Sequence, residues 1–408
     1  MHLQLKPCSA QSCNVSAIPA ERRNSERRMP ELPEVEAMRR LAEEHCVSRK
    51  VARVLALEQG GGPRDGKFDD KVIGEGVTEK QMVAALTGRT VTAAKRRGKH
   101  LWLELDGNGP CLLLHFGMTG SLAVDGVERF SFQSFNVDES WPPRFTKLQL
   151  DMAGSGAAKL AFADPRRFGK ILLRNRPEEE PPVSLLAADP IVAPPALSAF
   201  TEALEKSALP VKSLLLDQER IVCGVGNWIA DEVLHEARVL PCAPGRTLSE
   251  RQAMAVHAAV CSICQAAISV DADAAGFPKG WLFHYRWGHG PQGEQVQLPD
   301  GTCVSFTNVG GRTTAYVPSR QCSGERRLVH SEKAAGKAST KKPVQKRRAR
   351  GKSSAEGTHQ RLEKPALADS SLPKFKVKLR ARKRPAAPVP RFKGKLRAGS
   401  GHSVLELD

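Results

Sequence analysis

PELPEVEAMRRLAEEH, residues 30–45, reads as a helix with Pro33 in its first turn. Val35, Met38, Leu41 and Ala42 fall on one face, the pattern of a helix packed against something larger. The segments C-terminal to this helix supply that larger body. KVARVLAL (50–57), TVTAAKRRGKHLWLEL (90–105), CLLLHFGMTGSLAV (111–124), FTKLQLDM (145–152), AKLAFAD (158–164) and GKILLR (169–174) are strand-like runs separated by Gly, Pro and Asp. Their spacing predicts a β-sandwich or barrel. An acidic, proline-rich stretch at 177–182 predicts a linker. Helical patterns then return in PALSAFTEALEKS (195–207), VKSLLLDQER (211–220), NWIADEVLHEARV (227–239) and SERQAMAVHAAVCSICQAAISV (249–270). Residues 276–322 go back to short strands and turns. The expected organisation is α+β and multidomain. It comprises an N-terminal extension (1–28), a β-sandwich (29–176), a helical domain (177–270), a small stranded module (276–322) and a tail (324–408).

Charge divides the chain differently. Of 62 Lys and Arg and 44 Asp and Glu, residues 324–408 carry 24 and 7, leaving 38 and 37 in residues 1–323. The tail is a polycation of low apolar content, expected to be disordered because it cannot bury enough surface to offset chain entropy. The rest is almost neutral, so a surface for a polyanion there must come from local clustering. No apolar run is expected to reach the ~20 residues of a membrane helix. Most of the ten cysteines sit singly in apolar surroundings, as in a reducing compartment. Residues 1–28 end in ERRNSERR and lack the apolar core of a secretory signal, although an organelle transit peptide stays open.

Several motifs carry chemistry. In MPELPEVE, Met29 precedes Pro30, and a small second residue permits removal of an initiator Met. Pro30 would then hold a secondary amine titrating near ~8, able to attack an electrophilic sugar carbon and form an iminium. Glu31 beside it could move protons. An acid next to an amine at a helix start is also an ordinary surface pattern. GVGN (224–227) offers glycines for close approach and Asn227 as a cap, leaving helix amides to face an anion; a plain helix–helix turn reads as well. Lys99 in RRGKHL reads, on its own residues, as a solvated strand-end charge in preference to a functional one. Met118 in HFGMTG is ordinarily a core residue, whereas Arg166 and Phe168 in the turn-like DPRRFG are better placed at the surface. A structural zinc needs paired Cys/His ligands; Cys303 and Cys322 stand alone, and Cys261 and Cys264 share one helix face. No metal and no cofactor are expected.

PELPEVE, RRGKHLWLEL, HFGMTGSL, DPRRFG, GVGNWIADEVL and GGRTTAYVP, in that order over residues 29–320, resemble the formamidopyrimidine-DNA glycosylase family. FPKGWLFHYR with GGRTTAYVP looks like its plant and fungal branch, whose finger is zincless. The resemblance implies a β-sandwich, a helix–two-turns–helix domain and a hairpin finger, with damaged double-stranded DNA held between them by a monomer. Carried over, Pro30 is the nucleophile at C1′ and Glu31 the acid on the sugar ring oxygen. Lys99 binds a phosphate and assists elimination, and Lys212 lies near the damaged base. Asn227 and Arg312 grip phosphates. Met118, Arg166 and Phe168 fill the hole left by a flipped base. The implied activity is a bifunctional glycosylase and abasic-site lyase for oxidised purines, acting by β,δ-elimination in base excision repair. The short segment between Ile268 and Phe277 weighs against efficient 8-oxoguanine removal. Two alternatives stand beside it: the sister branch for oxidised pyrimidines, and a non-catalytic DNA-binding protein if residues 1–28 stay attached. KKPVQKRRARGK in the tail suggests the nucleus, with an organelle also open.

Overall fold

The computed structural model describes residues 30–130, 140–154, 156–287 and 295–323. The expectations for residues 1–28, Met29 and the tail lie outside these. Helix α1 (Leu32–Cys46) opens the described chain with Pro33 in its first turn, as its sequence predicts. Val35, Met38, Ala42 and Cys46 are fully buried against the β-sandwich.

That sandwich has two four-stranded antiparallel sheets. One has the order β1 (Val51–Leu55), β6 (Thr146–Met152), β7 (Lys159–Ala163), β5 (Ser121–Val124); the other β2 (Val91–Arg97), β3 (His100–Leu105), β4 (Cys111–His115), β8 (Lys170–Arg174). Two of the strand-like runs each contain a turn. The run at 90–105 folds back at Gly98 (φ +57°), and the run at 111–124 changes sheet at Gly117 (φ +57°). Helix α2 (Glu79–Leu86) has no counterpart among the expected elements. Its capping box is nevertheless legible in Thr78-Glu79-Lys80-Gln81: Thr78 Oγ1 accepts from Gln81 N and the Gln81 side chain accepts from Thr78 N.

The segment 177–182 is not a loose linker. Arg174 Nε donates to the Pro181 carbonyl at 2.6 Å and Arg176 N to Glu180 at 2.8 Å. Val183 and Leu186 then bury themselves against Trp102, Leu113 and Leu172. This apolar docking overrides the linker-like composition.

Helices α3 (Leu197–Glu205), α4 (Val211–Leu216), α5 (Asn227–Glu236) and α6 (Glu250–Ser269) enclose a second core containing Leu32, Trp228, Val256 and Phe277. Contrary to the sequence expectation, α6, with 20 residues, is by length and composition long and apolar enough to cross a membrane. Ala253, Val256, Val260, Cys264 and Ala267 bury one face of it in this core instead. Strands β9 (Ser305–Val309) and β10 (Arg312–Tyr316) form a hairpin whose turn, Gly310–Gly311, has φ of +59° and +77°. Positive φ at both central residues is what a type I′ hairpin turn requires.

Candidate active site

The two cores meet where the starts of α1 and α5 face each other. Pro30 is buried and Glu31 is 3% exposed. The Glu31 carboxylate accepts hydrogen bonds from the amides of Gly226 (2.9 Å), Trp228 (2.9 Å) and Ile229 (3.1 Å). It therefore occupies the N-terminus of α5, where free amides and the helix dipole favour an anion. This corrects one sequence expectation. Gly226, not Asn227, caps α5, and the group that accepts from the cap amides is the protein's own Glu31 carboxyl. Asn227 is the first helical residue and donates from Nδ2 to the Thr313 carbonyl at 3.0 Å, tying α5 to the hairpin.

A second carboxyl lies alongside. Glu34 accepts from the Glu31 amide (3.1 Å) and from Trp228 Nε1 (3.1 Å). Burial, reinforced by the charge of Glu31, pushes its pKa up to about 8. Burial also raises Glu31, against the opposing pull of Lys99, the α5 amides and Arg286. The apolar wall is aromatic: Trp228 lies 5.6 Å from Phe277 and 5.1 Å from Phe283, ring centre to ring centre. Paired buried carboxyls of raised pKa can hold a proton near neutrality, the condition for a general acid.

Lys99 enters from the β2–β3 turn. Arg96 holds this turn through a 2.6 Å ion pair with Asp189, which also accepts from Gly98 N at 2.7 Å. Lys99 Nζ donates to the Val225 carbonyl at 2.9 Å. One peptide unit, Val225–Gly226, thus touches Lys99 through its oxygen and Glu31 through its nitrogen. Burial lowers the Lys99 pKa, against the charge of Glu31. Gln218 braces the same turn, donating to Val225 O and accepting from Gly224 N, each at 2.9 Å.

Lys212 reaches the hairpin from α4. Its side chain is fully buried, 2.6 Å from Asp231, and bonds Thr314 Oγ1 (2.7 Å) and the Thr313 carbonyl (3.1 Å). Asp231 also holds Arg286 (3.0 Å) and accepts from the Ala315 amide (2.9 Å). Lys212 joins α4, α5 and β10, and burial brings its pKa down to about 8. No residue in LPVKSLLL announces this. Asp231 and Glu232 inside a helix buried on every side are the available clue.

Arg312 is exposed at the hairpin turn, and its charge is felt at Lys99. Phe168 is 46% exposed, with the Arg166 guanidinium 5.0 Å and Lys71 Nζ 5.4 Å from its ring centre. Met118 is half-buried on the neighbouring turn rather than in the core. Cys261 and Cys264 lie on α6, the latter fully buried; Cys303 and Cys322 flank the hairpin. Among the described residues no group of three or more His, Cys, Asp or Glu could hold a metal ion. The short segment after α6 is pinned, since Arg40 bonds the Ile268 carbonyl (3.2 Å) and Asp271 (2.6 Å).

A sandwich joined to a helical domain, with paired carboxyls where they meet, defines a class, and comparison with known proteins gives its family. Residues 29–171 match the formamidopyrimidine-DNA glycosylase N-terminal domain and residues 186–278 the H2TH domain of the same enzymes. A formamidopyrimidine-DNA glycosylase of Arabidopsis thaliana is 38% identical over 295 residues, 72% of this chain and 71% of the relative. One from Thermus thermophilus is 32% identical over 307 residues, covering 73% and 99%. The Lactococcus lactis enzyme, solved non-covalently bound to DNA containing an abasic site, superposes with a TM-score of 0.55 at 27% identity, over 71% of this chain and 99% of that one. The chain belongs to the formamidopyrimidine-DNA glycosylase family.

Proposed function

We propose that the protein is a bifunctional DNA glycosylase and abasic-site lyase of base excision repair, acting as a monomer on duplex DNA carrying oxidised purines. The observation that carries this reading is the buried Glu31, its pKa raised, immediately beside Pro30 and seated on the amides of α5. A free Pro30 nitrogen attacks C1′ of the flipped nucleotide as Glu31 delivers a proton to the ring oxygen. The C1′–base bond breaks, the base departs with the proton given up by the Pro30 nitrogen, and an iminium joins Pro30 to the opened sugar. Loss of the C2′ proton then expels the 3′ phosphate, and a second elimination expels the 5′ phosphate. Lys99, which shares the Val225–Gly226 peptide with Glu31, pairs with a phosphate and assists these steps. Arg312 at the hairpin turn binds a flanking phosphate, and Asn227 holds that hairpin to α5. Lys212 acts as a positioning residue for the hairpin.

Strand cleavage on duplexes with defined lesions tests this. Ring-opened formamidopyrimidines should be cleaved faster than 8-oxoguanine and oxidised pyrimidines. Preference for oxidised pyrimidines favours the sister branch. A second reading rests on one fact: in the 408-residue chain the Pro30 nitrogen is the amide of Met29. Such a chain binds DNA without iminium chemistry, so the active form begins at Pro30. The basic tail adds salt-dependent phosphate affinity and nuclear targeting.

A further inference from the structure

The three side chains assigned to fill the hole left by a flipped base stand on two separate turns. Met118 lies between β4 and β5, and Arg166 and Phe168 lie between β7 and β8. Both turns cross from one sheet of the sandwich to the other. On one side β4 pairs with β8 through His115 and Lys170; on the other β5 pairs with β7 through Ser121 and Ala163. The two ladders end there, and the turns run side by side across the gap between sheets.

A buried carboxylate bridges the gap. Asp164 is fully buried and accepts from Thr119 Oγ1 at 2.6 Å, from the Arg166 amide at 3.2 Å and from the Gly169 amide at 2.7 Å. One carboxylate thus closes the Arg166–Phe168 turn on itself and ties it to the residue after Met118. The backbones are in contact as well. A Cβ on Gly117 would lie 2.4 Å from the Phe168 carbonyl carbon, so only glycine lets the turns approach this closely. A second anchor holds the far side. Arg167 (φ +58°) bonds Asp69 in two-pronged fashion at 2.7 and 2.8 Å. Asp69 is itself held by buried Lys147 at 3.1 Å, and Lys147 also bonds Glu58. Burial works to raise the Asp69 carboxyl, but the bonds from Arg167 and Lys147 outweigh it and hold it down at about 2.

We propose that Thr119 and Asp164 form a joint that locks the Met118 turn to the Arg166–Phe168 turn, so that the three side chains enter the duplex as one preformed insert. The inference rests on the glycosylase reading above. Thr119 and Asp164 are positioning residues; neither is assigned any contact with DNA. A joint matters only where a base must leave a stack. On single-stranded DNA no partner base is orphaned and no hole needs filling.

The experiment compares wild type, Thr119→Val, Thr119→Ala and Thr119→Ser, all as chains beginning at Pro30, at saturating enzyme, with folding checked by thermal unfolding. Each is given a duplex carrying a formamidopyrimidine with 2-aminopurine beside it, and a single-stranded abasic oligonucleotide for borohydride trapping. Thr119→Val, which loses the hydroxyl bond to a buried carboxylate, should excise from the duplex roughly tenfold more slowly or worse. The rise in 2-aminopurine fluorescence should slow in parallel. Trapping on the single strand should match wild type, and Thr119→Ser should restore duplex excision. Thr119→Ala, which adds no bulk, should repeat the split. Duplex excision at the wild-type rate by the Val and Ala variants overturns the proposal. So does an equal loss on both substrates by a folded variant. If wild type beginning at Pro30 neither excises from the duplex nor is trapped on the single strand, the glycosylase reading itself fails, which is a different result.

Discussion

Gly226→Ala probes the seat of Glu31 without touching the glutamate. At Gly226 φ is −120°, ordinary for any residue, so the demand for glycine comes from contact and not from backbone strain. An added Cβ would lie 2.2 Å from Glu31 Cδ, 2.4 Å from Oε1 and 2.5 Å from Cγ. Contacts under 3 Å force movement, and the carboxylate must give by about 1 Å to restore a carbon–carbon separation near ~3.5 Å. It cannot do so and keep all three amide bonds. Overpacking of this kind costs about 1–3 kcal/mol of stability. Loss of one hydrogen bond to a charged group costs about 1.5–3 kcal/mol. A catalytic group displaced by ~1 Å loses on the order of 100-fold in rate, equivalent to about 2.7 kcal/mol. Single-turnover excision of a formamidopyrimidine should therefore fall about 100-fold. Trapping at a pre-formed abasic site, where the base has already gone, should be largely kept. Excision at the wild-type rate in a folded Gly226→Ala protein would refute the claim that the α5 amides hold Glu31 in its working position.

Three further outcomes are expected. Lys99→Ala should lower turnover even at saturating DNA, whereas Arg312→Ala should act mainly on affinity, so equal losses of affinity alone in titrations of both would contradict the assignment. Residues 30–323, lacking paired zinc ligands, should contain no stoichiometric zinc and stay active in chelator, measured by metal analysis and cleavage assay. Because burial raises Glu34 in the fold, its contribution to stability is complete below its ordinary value of 4.5 and is lost as pH rises through about 8; denaturant unfolding should show Glu34→Gln gaining on wild type between pH 5 and pH 8, and a constant difference would count against the raised carboxyl.

Much of the architecture is legible because it rests on local pattern. The apolar face of 30–45, the Gly-broken strand runs and the amphipathic stretches after 195 each specify an element by their period. Boundaries suffer where pattern and turn compete. Gly98 and Gly117 divide runs that read as continuous, since a glycine in a strand does not itself say whether the chain turns. The stretch at 177–182 looks like a linker because its own residues are polar, and only Val183 and Leu186 reveal that it docks. At the site, the family resemblance and not residue type alone points to Pro30, Glu31 and Lys99, and pairings between distant segments have no local trace. Glu31 on the α5 amides spans 195 to 198 residues of sequence, and Arg96 with Asp189 spans 93. By residue type Glu34 is an ordinary helix acid, yet proximity to Glu31 and Trp228 makes it the second carboxyl of the pair. Lys212 and Asp164 are invisible in their present roles for the same reason, because burial of a charge is decided by what folds over it.

The central claim is that Pro30 must be an amino terminus to act. Two forms are compared by borohydride trapping on an oligonucleotide with an abasic site: a chain beginning at Pro30 and the 408-residue chain kept intact. Peptide mapping then locates the adduct. The account predicts a covalent product with the first form, mapped to Pro30, and no Pro30-linked product with the second, because an amide nitrogen is not nucleophilic. Equal trapping by the intact 408-residue chain would contradict it and transfer the nucleophile's role to a lysine.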